Sequence, residues 1–291
     1  MPHWPTAASK VAGAANIGEL WRRASQRIDQ LDARLLLEHV GAGTHAELIA
    51  HPERELSNEQ SAQFAALLAR REAGEPLAYL VGSAFFCGLE FLVSPAVLIP
   101  RPDTEVLLEQ ATIRAQKLAA SRLVDLGTGS GIVAILLAQR CPTAEVTAVD
   151  VSAPALAVAR ANAARHQGHH TPIRFLEGDW YTPLGDECFD LIVSNPPYVV
   201  AGDPHLQQNG LPFEPQTALT DAVAGGDGLS CIRTLISRAR EHLLPGGGLL
   251  IEHGYDQAVQ VRELLENAGF VDVASWRDGA GIERVSGGHR Q

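Results

Sequence analysis

Residues 123–131 read LVDLGTGSG, an apolar run that gives way to three glycines in five positions. A short apolar stretch ended by glycine reads as a buried strand, and the helical pattern that follows over 131–140 makes this a strand-loop-helix unit. Glycines at 127, 129 and 131 let the chain turn tightly and let a ligand approach the backbone N–H groups opening the next helix. A glycine loop alone is weak evidence, because a plain strand-to-helix turn can also carry it, so the neighbouring stretches decide its meaning.

The same rhythm continues downstream. AEVTAVD (144–150), IRFLEGD (173–179), FDLIVSN (189–195), GGLLIEHG (247–254) and FVDVASWRD (270–278) are apolar runs. Between them lie helical patterns over 153–165, over 229–244 and up to Ala268. Alternation of this kind implies a parallel α/β sheet. Upstream, Leu20, Trp21, Ile28, Leu31, Leu35 and Leu36 recur at helical spacing within residues 17–74. Ser57 with Gln60 offers a capping box, and Gly74 followed by Pro76 a stop. The division expected is a helical domain over 1–82, a hairpin linker over 83–102 built around Cys87-Gly88, and an α/β domain over 103–291. The alanine-rich first 15 residues are expected to be disordered.

At 291 residues and 46% hydrophobic, the chain can bury two cores. Its formal charge of −11 falls mostly on residues 103–291, which hold 14 basic and 23 acidic residues. That balance opposes direct nucleic-acid binding, which needs Lys and Arg against phosphates. The four cysteines, Cys87, Cys141, Cys188 and Cys231, lack the spacing of a metal or redox site and read as buried thiols in a reducing compartment. No apolar run is long enough to span a bilayer and no signal-peptide core opens the chain, so a cytoplasmic protein without membrane contact is expected.

Ligands of such sheets collect beyond the carboxyl ends of the strands. The first end carries Gly127, Thr128, Gly129, Ser130 and Gly131. The second ends in Asp150, nineteen residues past Gly131, where a carboxylate can accept hydrogen bonds from ribose hydroxyls. The glycine spacing is GxGxG, with Ile132 where a dinucleotide loop has its third glycine, which tilts the choice from NAD toward S-adenosyl-L-methionine. The third end, Gly178-Asp179-Trp180, offers an acid to an adenine amino group and an indole to cover its face.

The fourth end is VSNPPYV (193–199). Prolines 196 and 197 remove two backbone donors and push their preceding residues into extended geometry. The Asn195 amide oxygen and the Pro196 carbonyl are then two acceptors with no donor between them, a pair suited to an NH2 group, and Tyr198 can lie against the planar group carrying that nitrogen. Beside a methyl donor, this describes methyl transfer to a planar nitrogen, either an amide or a nucleobase amine. Asp179 and Glu252 are nearby acids without an assigned role.

Taken together, DLGTGSG, AVD, GDW, VSNPPYV, DPHLQQNGLPFEPQTAL and LLIEHG resemble the HemK/PrmC family of protein-glutamine N5-methyltransferases. DARLLLEHV and GEPLAYLVG resemble its helical N-terminal domain, and VSPAVLIPRPDTE its linker. The resemblance implies a class I S-adenosylmethionine-dependent fold, a seven-stranded, mostly parallel, doubly wound sheet preceded by a small helical substrate-recognition domain. The implied acceptor is the glutamine of the Gly-Gly-Gln loop of peptide-chain release factors, with S-adenosyl-L-homocysteine as product. Carried over by residue, Gly127 to Gly131, Asp150, Trp180 and Asn195 bind the donor, while Asn195, Pro196, Pro197 and Tyr198 bind the glutamine, with Asn195, Pro196 and Tyr198 in the catalytic role. No metal is implied. A branch acting on a ribosomal-protein glutamine and an adenine-N6 nucleic-acid methyltransferase are the competing readings, and a noncatalytic S-adenosylmethionine-binding module is the third. The stretch from Val199 to Asp227 lacks periodicity and reads as a functional loop which, with the Arg101 segment, flanks the mouth of the pocket.

Overall fold

The computed structural model describes residues 16–166 and 172–291, so the expected disorder of the first 15 residues lies outside the described part. The chain divides into two compact units, Met1–Val81 and Gly82–Gln291.

The first unit holds α1 (Ile17–Ala24), α2 (Gln30–His39), α3 (His45–Ala50), α4 (Asn58–Glu72) and α5 (Leu77–Val81). Short polar residues satisfy the exposed N–H groups at the helix starts. Asn16 Oδ1 accepts from Glu19 N at 2.9 Å, and the expected Ser57/Gln60 capping box forms with bonds of 3.1 and 3.0 Å. A second box joins Thr44 and Glu47. The core gathers Ile17, Ala24, Leu36, Leu37, Leu48 and Phe64. Leu31, expected in the helical stripe, is instead exposed. The buried stripe of α2 runs through Ala33, Leu36, Leu37 and Val40, which leaves position 31 on the outer face.

The second unit opens with a hairpin, β1 (Ser83–Phe86) and β2 (Leu89–Leu92), turned through Cys87 and Gly88 with φ of 48° and 77°. Two positive values match the twist that a two-residue antiparallel turn requires. There follow α6 (Thr104–Leu118), β3 (Arg122–Leu126), α7 (Ile132–Arg140), β4 (Glu145–Asp150), α8 (Ala153–His166) and β5 (Arg174–Glu177). The chain continues with β6 (Phe189–Ser194), β7 (Val199–Ala201), α9 (Gln216–Leu219), β8 (Thr220–Ala224) and α10 (Ser230–Ala239). It ends with β9 (Leu243–Glu252), α11 (Ala258–Asn267), β10 (Phe270–Arg277) and β11 (Glu283–Arg290).

Seven of these strands form one sheet in the order β10-β11-β9-β6-β3-β4-β5. The five strands from β9 to β5 are mutually parallel, and β11 is antiparallel to both its neighbours. Alternate side chains of each central strand feed opposite cores, as a pleat requires. Leu123, Leu191 and Leu250 join one cluster with α6 and α7. Val124, Ile192, Leu249 and Ile251 join another with α10 and α11. Strand order reverses between β3 and β6, and a crevice is expected at such a reversal.

Two elements differ from the sequence reading. The helix expected over 229–244 stops at Ala239, because Leu243 already pairs with Phe189 and extends the sheet. The 199–227 stretch is not structureless: β7 pairs with β8 in parallel, and short 3₁₀ turns occupy Pro204–Gln207 and Leu211–Phe213.

One buried side chain ties the hairpin to the glycine loop. Asn162 of α8 accepts from Leu92 N at 2.7 Å and donates to the carbonyls of Leu92 and Ser130, both at 2.9 Å. It is wholly buried. Asn162→Ala strands three backbone groups away from water, so chemical unfolding should report a loss of about 2–4 kcal/mol.

Candidate functional site

A cavity of about 620 Å³ opens at the carboxyl ends of β3, β4, β5 and β6. Its base is the loop after β3. Gly127 N and Thr128 N both donate to Val149 O at 2.9 Å, which locks the loop onto the end of β4. Gly127, Thr128, Gly129 and Ser130 line the cavity, and Gly131 does not. Gly131 serves the packing beneath: a Cβ there, at φ 83°, would sit 3.0 Å from Ala159 Cβ and force α7 away from α8.

Asp150 lines the cavity from the end of β4. Its Oδ2 accepts from Gly129 N at 2.8 Å and its Oδ1 from Ser152 N at 2.9 Å. Burial pushes its carboxyl above the usual range, opposed by the backbone N–H groups of Ser152, Gly129 and Val151. Each oxygen keeps a further acceptor site for a ligand. Trp180, after β5, also lines the cavity and is held at φ 44°, a left-handed conformation uncommon outside glycine. Its ring lies so close to Gly127 that a Cβ at that position would meet Trp180 Cζ3 at 3.3 Å. Glycine at 127 therefore makes room for the indole as well as for the turn.

Asn195 and Pro197 line the cavity beyond β6, whereas Pro196 is buried and Tyr198 stands behind them. Asn195 Nδ2 donates to Thr104 Oγ1 at 3.1 Å, which leaves the amide oxygen free of that contact. The Tyr198 hydroxyl donates to Glu252 Oε1 at 3.2 Å, and the Tyr198 carbonyl accepts from Gln257 Nε2 at 3.0 Å. Burial pushes the Tyr198 phenol well up, reinforced by the charge of Glu252.

The structure adds residues that the sequence did not single out. Asp125 lines the floor, takes the Thr128 hydroxyl at 2.6 Å, and is pushed up to about 7 by burial. Thr104, from the start of α6, lines the same wall as its partner Asn195. The roof comes from two distant segments, one running from Pro95 to Arg101 and the other from Pro215 to Ala222. Glu214, buried, joins them: its Oε2 accepts from Ile99 N at 3.1 Å and its Oε1 pairs with Arg101. The sequence reading put the Arg101 segment and the 199–227 stretch at the mouth but marked neither Asp125 nor Thr104; the contacts themselves span 91 residues for Asn195–Thr104 and 113 for Arg101–Glu214. Among the described residues no group of His, Cys, Asp and Glu is arranged to hold a metal ion.

Comparison with known proteins adds to this geometry. The profile of the Methyltransferase small domain family matches residues 102–209, and that of the PrmC N-terminal domain matches residues 19–82. A release factor glutamine methyltransferase of Bordetella pertussis is 49% identical over 267 residues, spanning 91% of this chain and 97% of that protein. One from Burkholderia pseudomallei is 48% identical, spanning 94% and 96%. A T. thermophilus 16S rRNA methyltransferase, solved in complex with AdoMet and guanosine, superposes with a TM-score of 0.52 at 21% identity, covering 72% of this chain and 50% of that one. At that identity the likeness speaks for the fold alone.

If Asp150 receives ligand hydroxyls, Asp150→Ala should weaken binding of S-adenosyl-L-homocysteine about 10- to 100-fold by calorimetry, the range for hydrogen bonds to a charged group.

Proposed function

The chain belongs to the release factor glutamine methyltransferase family, and on that premise we infer that it methylates the side-chain amide nitrogen of the glutamine in the Gly-Gly-Gln motif of peptide-chain release factors. It is an S-adenosylmethionine-dependent α/β methyltransferase preceded by a helical N-terminal domain. The observation that carries the choice of acceptor is the Asn195 amide, anchored through its nitrogen to Thr104 beside two prolines that bring no N–H of their own.

The residues present fit the donor. A cradle of backbone at 127–130, a carboxylate at the end of β4 and an indole beside the loop suit an amino-acid part, ribose hydroxyls and a flat base. When bound, S-adenosylmethionine supplies an electrophilic sulfonium methyl and leaves as S-adenosyl-L-homocysteine. The remaining work falls to this chain. An amide nitrogen is a poor nucleophile because its lone pair is delocalised into the carbonyl. Asn195 Oδ1 and the Pro196 carbonyl would accept its two N–H groups, orient the nitrogen, and stabilise the positive charge that grows on it as the C–S bond breaks and the N–C bond forms, one amide proton then being lost to solvent. Tyr198 would support the flat amide from behind. The roof latched by Glu214 and Arg101 would shape the mouth that admits the loop of the protein substrate, and the helical domain would add contact with that partner.

The nucleic-acid alternative is disfavoured by the net charge of −9 over residues 103–291, from 14 basic and 23 acidic residues. No helix among the described residues is long and apolar enough to cross a membrane. We place the enzyme with its substrate in the cytoplasm.

Isotope-labelled methyl donor, incubated separately with release factor, with its Gln-to-Ala variant and with DNA, should label the first alone; label in DNA would overturn the assignment. Asn195→Ala should lower kcat by about 100-fold or more while donor affinity falls less than tenfold, because the acceptor pair is lost and most of the donor cradle remains. Equal losses would make Asn195 chiefly a donor-binding residue.

A further inference from the structure

The stretch that forms the mouth leaves the acceptor corner at Tyr198 and ends at Asp227, just before α10. Both ends meet one side chain. Gln257, the residue that opens α11, is 7% exposed and does not line the cavity. Its Nε2 donates to the Tyr198 carbonyl at 3.0 Å and to the Asp227 carbonyl at 3.2 Å. Its Oε1 accepts from Gly254 N at 2.8 Å, just beyond the end of β9.

A primary amide has an oxygen that only accepts and a nitrogen that only donates. With Gly254 N against the oxygen, the NH2 faces the two carbonyls, and each of its hydrogens has one to serve. The direction of the Gln257 amide is therefore set by backbone groups on every side. Glycine at 228 completes the joint. At φ 74° it lies so close that a Cβ there would overlap the Tyr198 carbonyl oxygen and stand 3.0 Å from Gln257 Nε2. The Asp227 side chain is engaged elsewhere, accepting from Leu229 N at 3.1 Å and pairing with Arg233 at 2.8 and 2.5 Å, so its carbonyl is the part offered to Gln257.

We propose that Gln257 is a positioning residue that clasps the two ends of the mouth loop together and, through the Tyr198 carbonyl, sets the stance of the acceptor corner. This rests on the reading of the pocket as an amide methyltransferase site. Between the clasped ends the chain carries β7, β8 and the roof segment from Pro215 to Ala222. Glu214 latches the middle of that loop to Ile99 and Arg101, and Gln257 holds its base. The base is the tie that bears on the substrate amide, because Tyr198 follows directly on the two prolines of the corner. The donor cradle is built on the ends of β3 and β4, apart from these ties, so the clasp acts on the acceptor side of the cavity.

Hydrogen exchange and kinetics on the full-length enzyme test this. Gln257→Glu keeps an acceptor for Gly254 N and removes both donors, whereas Gln257→Met removes all of these contacts without adding charge. In each variant, exchange of the amides within 199–227 should quicken about tenfold or more, as expected for the loss of two neutral hydrogen bonds, while exchange in β3 stays as in wild type. The kcat/KM for release factor should fall about tenfold or more, with affinity for S-adenosyl-L-homocysteine changing less than about threefold by calorimetry. Gly228→Ala presses on the same carbonyl from the other side, so it should give the same pattern and serves where a Gln257 variant fails to fold. Unchanged exchange in the loop overturns the proposal, as does quickened exchange with kcat/KM intact. Donor affinity that falls in step with kcat/KM would make Gln257 a general prop and overturns it as well. A loop that loosens as described, in an enzyme whose wild type leaves release factor unlabelled, would keep the clasp and sink the functional reading instead.

Discussion

The parallel register of the central strands is the constraint on which the site depends. Leu126 pairs with Val149 on one side and Ser194 on the other, and Ser194 pairs with Ile251. The next residues along these strands are Gly127, Asp150, Asn195 and Glu252, which therefore emerge as one row at one edge of the sheet. Four segments far apart in sequence contribute one position each. A slip of a single residue in any pair would send a side chain to the opposite face of the sheet, carrying Asp150 or Glu252 out of the row. Such slips are opposed by the two apolar clusters, since each strand presents alternate residues to different helices and no other register buries both sets.

That frame lets the protein keep several acidic groups in a dry place. Asp125, Asp150 and Glu252 are each pushed upward by burial, yet each is held differently. Asp150 takes two backbone N–H groups, which turns a desolvated carboxylate into a brace for the glycine loop. Asp125 takes the hydroxyl of Thr128. Glu214 meets the opposite need, since its partner is the Arg101 side chain and the bond closes a roof rather than a floor. Breaking such a pair would leave one buried charge uncompensated, so the two roof segments are bound to act together.

Much of this was legible in the sequence for a specific reason. Strands that are buried on both faces leave uninterrupted apolar runs, and the residues that end those runs are the ones at the cavity, as LVDLGTGSG and FDLIVSNPPY illustrate. The Ser57/Gln60 capping box and the Cys87-Gly88 turn were readable because they involve residues within four positions of one another. What stayed hidden depends on long-range pairing. Nothing near Thr104 in sequence marks it as the partner of Asn195, and nothing in α8 marks Asn162 as the clasp on Leu92 and Ser130. The end of α10 was misjudged because Leu243 and Leu244 suit a helix and a strand equally, and only pairing with Phe189 decides between them. Likewise β7 and β8 are short strands whose order comes from each other rather than from any periodicity of their own.

The acceptor corner is best understood by asking where its donors went. A site meant to receive an NH2 group must offer oxygen and withhold hydrogen, yet asparagine, tyrosine and two peptide nitrogens all carry N–H or O–H in ordinary chains. At 196 and 197 the prolines remove the backbone donors outright. The NH2 of Asn195 is spent on Thr104, and the hydroxyl of Tyr198 on Glu252. The side-chain donors of the motif and the peptide donors at 196 and 197 are thus deleted or drawn toward the interior, the Asn195 contact ending on the Thr104 hydroxyl and the Tyr198 contact on the buried Glu252 carboxylate. Placing that carboxylate in direct contact with the substrate would favour a cationic amine over a neutral amide. Set behind Tyr198, it would leave neutral oxygens to face the substrate in the proposed reaction, and those respond most strongly when positive charge develops on the nitrogen during methyl transfer.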